Sequence, residues 1–515
     1  MAPLLKVKER IIGPSGCYNI QNEWYGYVDE FKYTIGLAGL MGFGVGCCRP
    51  ELLPADMAPM PGCEDRWSPN YGNYIHLPSA SIMCFLPKHF IDIQGGADTN
   101  APTYGQPIVI SNTQTGNAVL ARAFRNGGGE LEGIFVDKYH PSNCRPDGSG
   151  LPNNATASPG AMPDTGGIAA SRPLQWPVSA VAATGATRSP FSYLNSQALN
   201  PTQGTPANSL GGCWAAMRSR GVDFHPVPIW VYSQLAYLSL AHAQALIGGS
   251  GNPIAGATSN AAWMDVLPYA PKGNNNNNCT DVNQSALRFD RTDVAGNVNS
   301  GRAGENNRAF TGAAWIGSVA TPSVERTTHN GQLSGVVDLN GNHWECAPGL
   351  TNTGGNNAGY RVVADSVNWG SISSNGTADG GIMNASTAKI SLIADVSDNG
   401  VWWTDANAYI YMIPAIGGTY HPISSWSGET TRQVMTECLL PRAAGTNTGQ
   451  VSTNHFGGDG LFRRHSSDLL PIVGGNWANG GTSGVFTVNL NFISTSASVS
   501  GSNTFGARAL RLLSA

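Results

Sequence analysis

The chain is predicted to be an α+β protein dominated by loops. Three features lead there: one long helical stretch, short apolar runs scattered along the chain, and long Gly- and Asn-rich passages between them. The helical stretch runs from Ile229 to Ile247, with Pro228 suited to its first turn and Gly248-Gly249 to its end. Val231, Leu235, Leu238, His242 and Ala245 share one face at helical spacing, which makes His242 a packed core histidine and not a ligand. Ser233, Gln234, His242 and Gln244 lie within the stretch, so it reads as a buried helix and no membrane insertion is expected.

A strand is predicted over Ser81–Ile93, where Pro87 argues for an edge or a bulge, and a second over Glu132–Tyr139. Shorter strand signals follow at Lys389–Ala394 and Ala408–Ile413. Residues 1 to about 75 form a small N-terminal domain, with a Gly-rich apolar run (Ile35–Gly46) and then a Pro-rich passage to Pro61. The main domain covers 76–515 and carries long loop insertions at about 145–212, 250–310 and 350–425. Asn274 to Asn278 are consecutive asparagines, read as an exposed loop, and no repeat of solenoid period is present.

With 515 residues the chain is long enough for a large core. Only 12% of it is charged, against about 25% in ordinary globular chains. Its 65 glycines and 13 tryptophans describe loops around a packed interior, an arrangement that serves recognition more often than chemistry. The net charge of −4 without basic blocks gives no footprint for nucleic acid. Met1–Arg10 lacks the apolar core of a signal peptide, so synthesis in the cytoplasm and reduced thiols are expected. The ten cysteines show neither CxxC nor zinc-ligand spacing; no metal and no cofactor is expected, and Cys47-Cys48 read as two small buried residues.

Catalytic signatures are absent: there is no GxSxG, HExxH, Walker loop or GxGxxG. His343-Trp344-Glu345-Cys346 sets an acid and an imidazole near a thiol, but neighbours in sequence need not face one another. Arg463-Arg464-His465 reads as a loop junction whose arginines bond carbonyls.

Four passages, in order, resemble the C-type lectin-like fold of formylglycine-generating enzymes and their non-catalytic relatives. Phe135-Val-Asp-Lys-Tyr-His-Pro-Ser-Asn143 is similar to the family's early "DKYEVTN" strand. Phe224-His-Pro-Val-Pro-Ile-Trp230 resembles the approach to its central helix. Gly335-Val-Val-Asp-Leu-Asn-Gly-Asn-His-Trp-Glu345 is similar to "GLYDMSGNVWEW". Val473-Gly-Gly-Asn-Trp477, with Phe505-Gly-Ala-Arg508, is similar to the "RGGSW…GFR" ending. The resemblance implies a scaffold role for these residues, with Trp344 and Trp477 buried. The family's enzymes carry catalytic cysteines after the GGSW-like segment, whereas the last cysteine here is Cys438. The fold is therefore expected without the enzymatic activity.

Between those flanks, the segment from Ala478 to Thr504 is similar to the variable region of proteins diversified by retroelements. There, adenines of AAC or AAT codons are randomised, which cannot yield Lys, Glu, Gln, Met or Trp. None of the five occurs from Ala478 to Leu513, yet together they are roughly one residue in nine of the chain, a bias of the kind composition reading weighs. The variable region is expected over about 474–508. Its ligand-binding positions are expected at Ala478, Asn479, Thr482, Thr487, Asn489, Asn491, Phe492, Ile493, Ser494, Ser496, Ser498 and Ser500, exposed as one patch. Phe486, Phe492 or Ile493 would supply apolar anchors among adaptable small polar groups. In Val488-Asn-Leu-Asn491, alternation points Val488 and Leu490 inward and both asparagines outward.

The resemblance implies a phage tail-tip adhesin, located in the virion and made in the host cytoplasm. Its expected partners are a host cell-surface receptor, protein or glycan, and other phage tail proteins. Residues 1 to about 75 would mediate attachment or oligomerisation, and a homotrimer is expected because tail-fibre tips are commonly threefold. The alternatives are a formylglycine-generating type of oxidase and a bacterial display protein of the same diversified class.

Overall fold

Among the described residues, two six-stranded sheets and one long helix organise the protein. The computed structural model describes residues 31–92, 109–116, 118–144, 168–173, 180–181, 214, 216–246, 328–339, 343–352, 360–363, 366–371, 390–394, 409–411, 437–439, 460–462, 470–475, 484–490, 501–502 and 505–513. In chain order the strands of the two sheets are β1 (Met57–Pro59), β2 (Asn73–His76), β3 (Ser81–Pro87), β4 (Gly133–Asp137), β5 (Phe224–Pro226), β6 (Trp344–Cys346), β7 (Tyr409–Tyr411), β8 (Gly460–Phe462), β9 (Ile472–Val473), β10 (Val488–Asn489), β11 (Phe505–Gly506) and β12 (Ala509–Leu512). Helix α1 (Ile229–Leu246) lies between β5 and β6 in the chain. This is a strand-rich α+β fold with few helices among the described residues.

The first sheet has the order β1-β2-β3-β4-β12-β5 and is antiparallel throughout. At its centre Met83, Cys84, Phe85 and Leu86 of β3 and Ile134, Phe135 and Val136 of β4 are all buried, so both faces are covered. Phe85 and Tyr74 meet the Phe135 ring at 5.0 and 5.2 Å, and burying each such side chain contributes about 1.5–3 kcal/mol. The expected strand Ser81–Ile93 is two strands. Pro87 has no N–H with which to continue the ladder, so β3 ends there and Phe90–Asp92 pairs instead in a separate three-stranded sheet.

The expected boundary near residue 75 falls inside β2. Strands β1 and β2 belong to the first sheet, and Val45, Cys47, Met57 and Tyr71 share one core with Leu510 near the C-terminus. Residues 31–76 are thus part of the main body and not a separate domain. The described parts of 350–425 join the same body: Trp369 packs between Trp214 and Trp230, at 5.2 and 5.0 Å between ring centroids, and β7 is an edge strand of the second sheet. The asparagine run and the 250–310 insertion lie outside the described residues.

Helix α1 begins directly after Pro228, whose carbonyl accepts from Val231 and Tyr232. The buried helix expected here is found: every described side chain from Ile229 to His242 is buried, polar ones included. Full burial requires partners for the polar groups. Ser239 donates to the His329 carbonyl at 2.6 Å, and Gln234 meets the His89 ring at 3.2 Å. His242 is the expected core histidine: it stacks on Phe43 at 5.2 Å and its Nδ1 accepts the Gly39 N–H at 2.9 Å. No helix among the described residues is long and apolar enough to cross a membrane.

Candidate functional site

The second sheet has the order β7-β8-β10-β9-β6-β11, with parallel pairing at β8/β10 and β6/β11. Its strand β6 stands between the two ends of the 474–504 segment. On one side Glu345 pairs with Val473 of β9; on the other Trp344 pairs with Phe505 and Glu345 with Gly506 of β11. The chain therefore leaves β6's flank at Val473 and returns to its opposite flank at Phe505.

The return is locked by Arg508, which is wholly buried. Its Nε and Nη2 bind the two carboxylate oxygens of Glu345 at 3.0 and 2.7 Å. Nη1 donates to the carbonyls of Asp137 and Lys138 at 2.9 and 3.0 Å, and Nη2 to that of Val337 at 2.7 Å. All five guanidinium N–H donors are used. Tyr232 of α1 also donates to Glu345, and the His140 ring lies 3.4 Å from it. Burial alone would raise the Glu345 carboxyl, but the Arg508 guanidinium and His140 hold it below the usual carboxylate range. Burial pushes His140 down from the ordinary imidazole value.

A second buried pair braces the first. Arg220 binds both Asp137 oxygens at 2.8 and 2.7 Å, and the other face of that carboxylate accepts the Ala509 N–H at 3.0 Å. The Val227 N–H donates to the Arg508 carbonyl at 2.9 Å, and Val337 to Lys138 at 2.8 Å. All four passages singled out in the sequence thus meet at Arg508, the Phe224–Trp230 passage through the residue's backbone carbonyl. Gly474, with φ +87°, belongs to the same junction: a Cβ there would lie 2.9 Å from the Leu339 carbonyl oxygen. Asp338 holds φ 60°, a conformation Asp tolerates. Trp344 is buried as expected, and Trp477 lies outside the described residues.

All four side chains of the His343-Trp344-Glu345-Cys346 run are buried. Its acid is committed to Arg508, and Cys346 is buried in the core. Among the described residues no group of three His, Cys, Asp or Glu is arranged to hold a metal ion. Arg463-Arg464-His465 lies outside the described residues.

Of the expected ligand-binding positions, Thr487 and Asn489 are described. Thr487 is fully buried, contrary to the outward position expected. The reason is local: its carbonyl accepts the Gly474 N–H at 2.9 Å and its N–H reaches the Gly484 carbonyl at 3.0 Å, which pulls it into the base of the loop. Phe486 is also buried, edge-on to Tyr237 of α1 at 5.3 Å, so it is a packing residue and not a surface anchor. Asn489 is half-buried between the buried Val488 and Leu490, in the alternation expected. Ala478, Asn479, Thr482, Asn491, Phe492, Ile493, Ser494, Ser496, Ser498 and Ser500 lie outside the described residues. One neighbour escaped sequence reading: Ala180–Val181, from the 145–212 insertion, pairs with Gly501–Ser502. A two-residue pairing at such separation leaves no periodic signal.

Compared with known proteins, the chain matches no family model and no curated protein.

Proposed function

We propose that the chain is a receptor-binding protein of C-type lectin-like fold, with a retroelement-diversified segment at about 474–508, carried at a phage tail tip. The observation that carries this reading is the clamp at β6: the segment's two ends flank one strand, and buried charge pairs fix the return. A loop held this way can change its outward side chains without altering the groups that fold the protein, which is the requirement for diversified recognition. The adenine-reachable composition of the segment adds to it. Its small polar side chains suit adaptable hydrogen bonding, and Phe492 and Ile493 give apolar contacts to a host surface receptor. The pairing of Ala180–Val181 with Gly501–Ser502 sets those two residues of the 145–212 insertion beside the C-terminal end of the segment. A homotrimer would multiply weak site affinities by about 10²–10⁴.

The test replaces Asn491, Phe492, Ile493 and Ser494 together with alanine in the full chain. Binding of purified protein to host cells is then measured beside its urea midpoint. Loss of binding at an unchanged midpoint is expected, since a surface substitution costs under about 0.5 kcal/mol. Unaltered binding by the folded variant would overturn the reading.

A further inference from the structure

Three cysteines near the N-terminal edge of the first sheet play no part in the clamp: Cys47, Cys48 and Cys63, all buried. Two of them touch. The Cys47 thiol donates to the Cys63 carbonyl at 3.3 Å. Glycines make this approach feasible. Gly72, at φ +65°, crosses so close to Gly46 that a Cβ would lie 2.7 Å from the Gly46 oxygen, and its N–H binds the Cys63 carbonyl at 2.9 Å. The chain before Cys47 is thereby pressed against the turn that carries Cys63. Cys48 points elsewhere, its thiol towards the Arg49 carbonyl at 3.5 Å.

We propose that Cys47 and Cys63 are a redox pair that closes into a disulfide by exchange with a small-molecule disulfide such as oxidised glutathione. Cys63 is the attacking sulfur. It sits in the surface turn between the exposed Gly62 and Glu64, and its interaction with Cys47 holds its thiol below the ordinary range. The bond to Cys63 and burial hold Cys47 above it, and burial pushes Cys48 up to about 12. The Cys63 thiolate attacks one sulfur of the small disulfide, forming a mixed disulfide and releasing the first small thiolate. Cys47 then gives up its proton to the small thiolate just released, attacks the Cys63 sulfur and releases the second, which takes up the proton that Cys63 had lost. Two electrons pass from the cysteine pair to the reagent, and one disulfide is exchanged for another. Access needs only opening of the surface turn around Cys63, where Glu64 and Trp67 are exposed. The bond would close a loop of about sixteen residues, a length at which cross-linking measurably restrains the unfolded chain.

The test incubates the native full chain with oxidised glutathione, blocks remaining thiols with N-ethylmaleimide, and maps the digest by mass. The expected product is a Cys47–Cys63 cross-linked peptide pair, about 2 Da lighter than the two free-thiol peptides combined and reversed by dithiothreitol. Cys48→Ser should give the same product, and the oxidised protein should melt a few degrees higher. Cys47→Ser should leave glutathione trapped on Cys63. Maleimide on both cysteines, a cross-link through Cys48, or a persistent glutathione adduct on wild-type Cys63 would each overturn the proposal. The wild-type mass readout stands even if Cys47→Ser fails to fold. None of this rests on the receptor-binding reading.

Discussion

Replacing Arg508 with methionine removes five hydrogen-bond donors from the clamp and leaves Glu345 as a buried charge without its cation. Breaking a buried ion pair from one side costs about 3–5 kcal/mol. The carbonyls of Asp137, Lys138 and Val337 lose their donor as well, at about 1 kcal/mol or more apiece. The expected loss is about 6 kcal/mol, a large part of the roughly 5–15 kcal/mol that holds a domain folded. Arg508→Lys keeps the charge but offers three N–H donors to five acceptor contacts, so an intermediate loss of about 2–4 kcal/mol is expected. Equilibrium urea denaturation followed by tryptophan fluorescence measures both. A loss below about 1 kcal/mol for Arg508→Met would refute the clamp as the organising centre.

Gly474→Ala places a Cβ against the Leu339 oxygen at a positive φ and should cost about 1–3 kcal/mol in the same assay; a neutral outcome would show that the junction relaxes freely. Phe486→Ala should cost about 3–5 kcal/mol through lost packing on Tyr237, and host binding should fall only in proportion to the folded fraction; a binding loss with unchanged stability would restore Phe486 as a contact residue. Acid should unfold the protein through its histidines. Burial lowers His89 to about 4 and His329 to about 3, and the Nδ1 of His329 accepts the Val336 N–H, which fixes the neutral ring. In the unfolded chain these rings titrate near 6.5, so the unfolded state binds more protons below that pH. Their stability contribution is complete above about 6.5 and falls towards the folded values at about 1.4 kcal/mol per histidine per pH unit. A urea midpoint that stays flat from about pH 7 to 4.5 would contradict this.

Helix α1, β4 and the halves of the Ser81–Ile93 run were legible because each carries a local period or an apolar run. The split at Pro87 was half-legible: proline announced an interruption, but only the register of β3 against β4 shows that the ladder stops there. The N-terminal boundary was misread because a change in composition at Pro61 is not a break in a sheet; β1 and β2 pair across it. Thr487 and Phe486 were misread for a related cause. Small-polar and apolar residues in a Gly-rich segment look alike whether they face solvent or close the loop's base, and the deciding partners, Gly474 and Tyr237, are distant in sequence. Arg508 and Glu345 were visible as motif members, whereas their mutual contact was not, since charge pairing across such separation has no periodic trace.

The most direct test of diversification at the clamped loop is deep sequencing of this gene in a propagated population. Substitutions should concentrate at adenines in the codons for 478–500, with a matching template repeat nearby, while the codons for Asp137, Glu345, Gly474 and Arg508 stay fixed. An even spread of substitutions along the gene, or no template repeat, would contradict it.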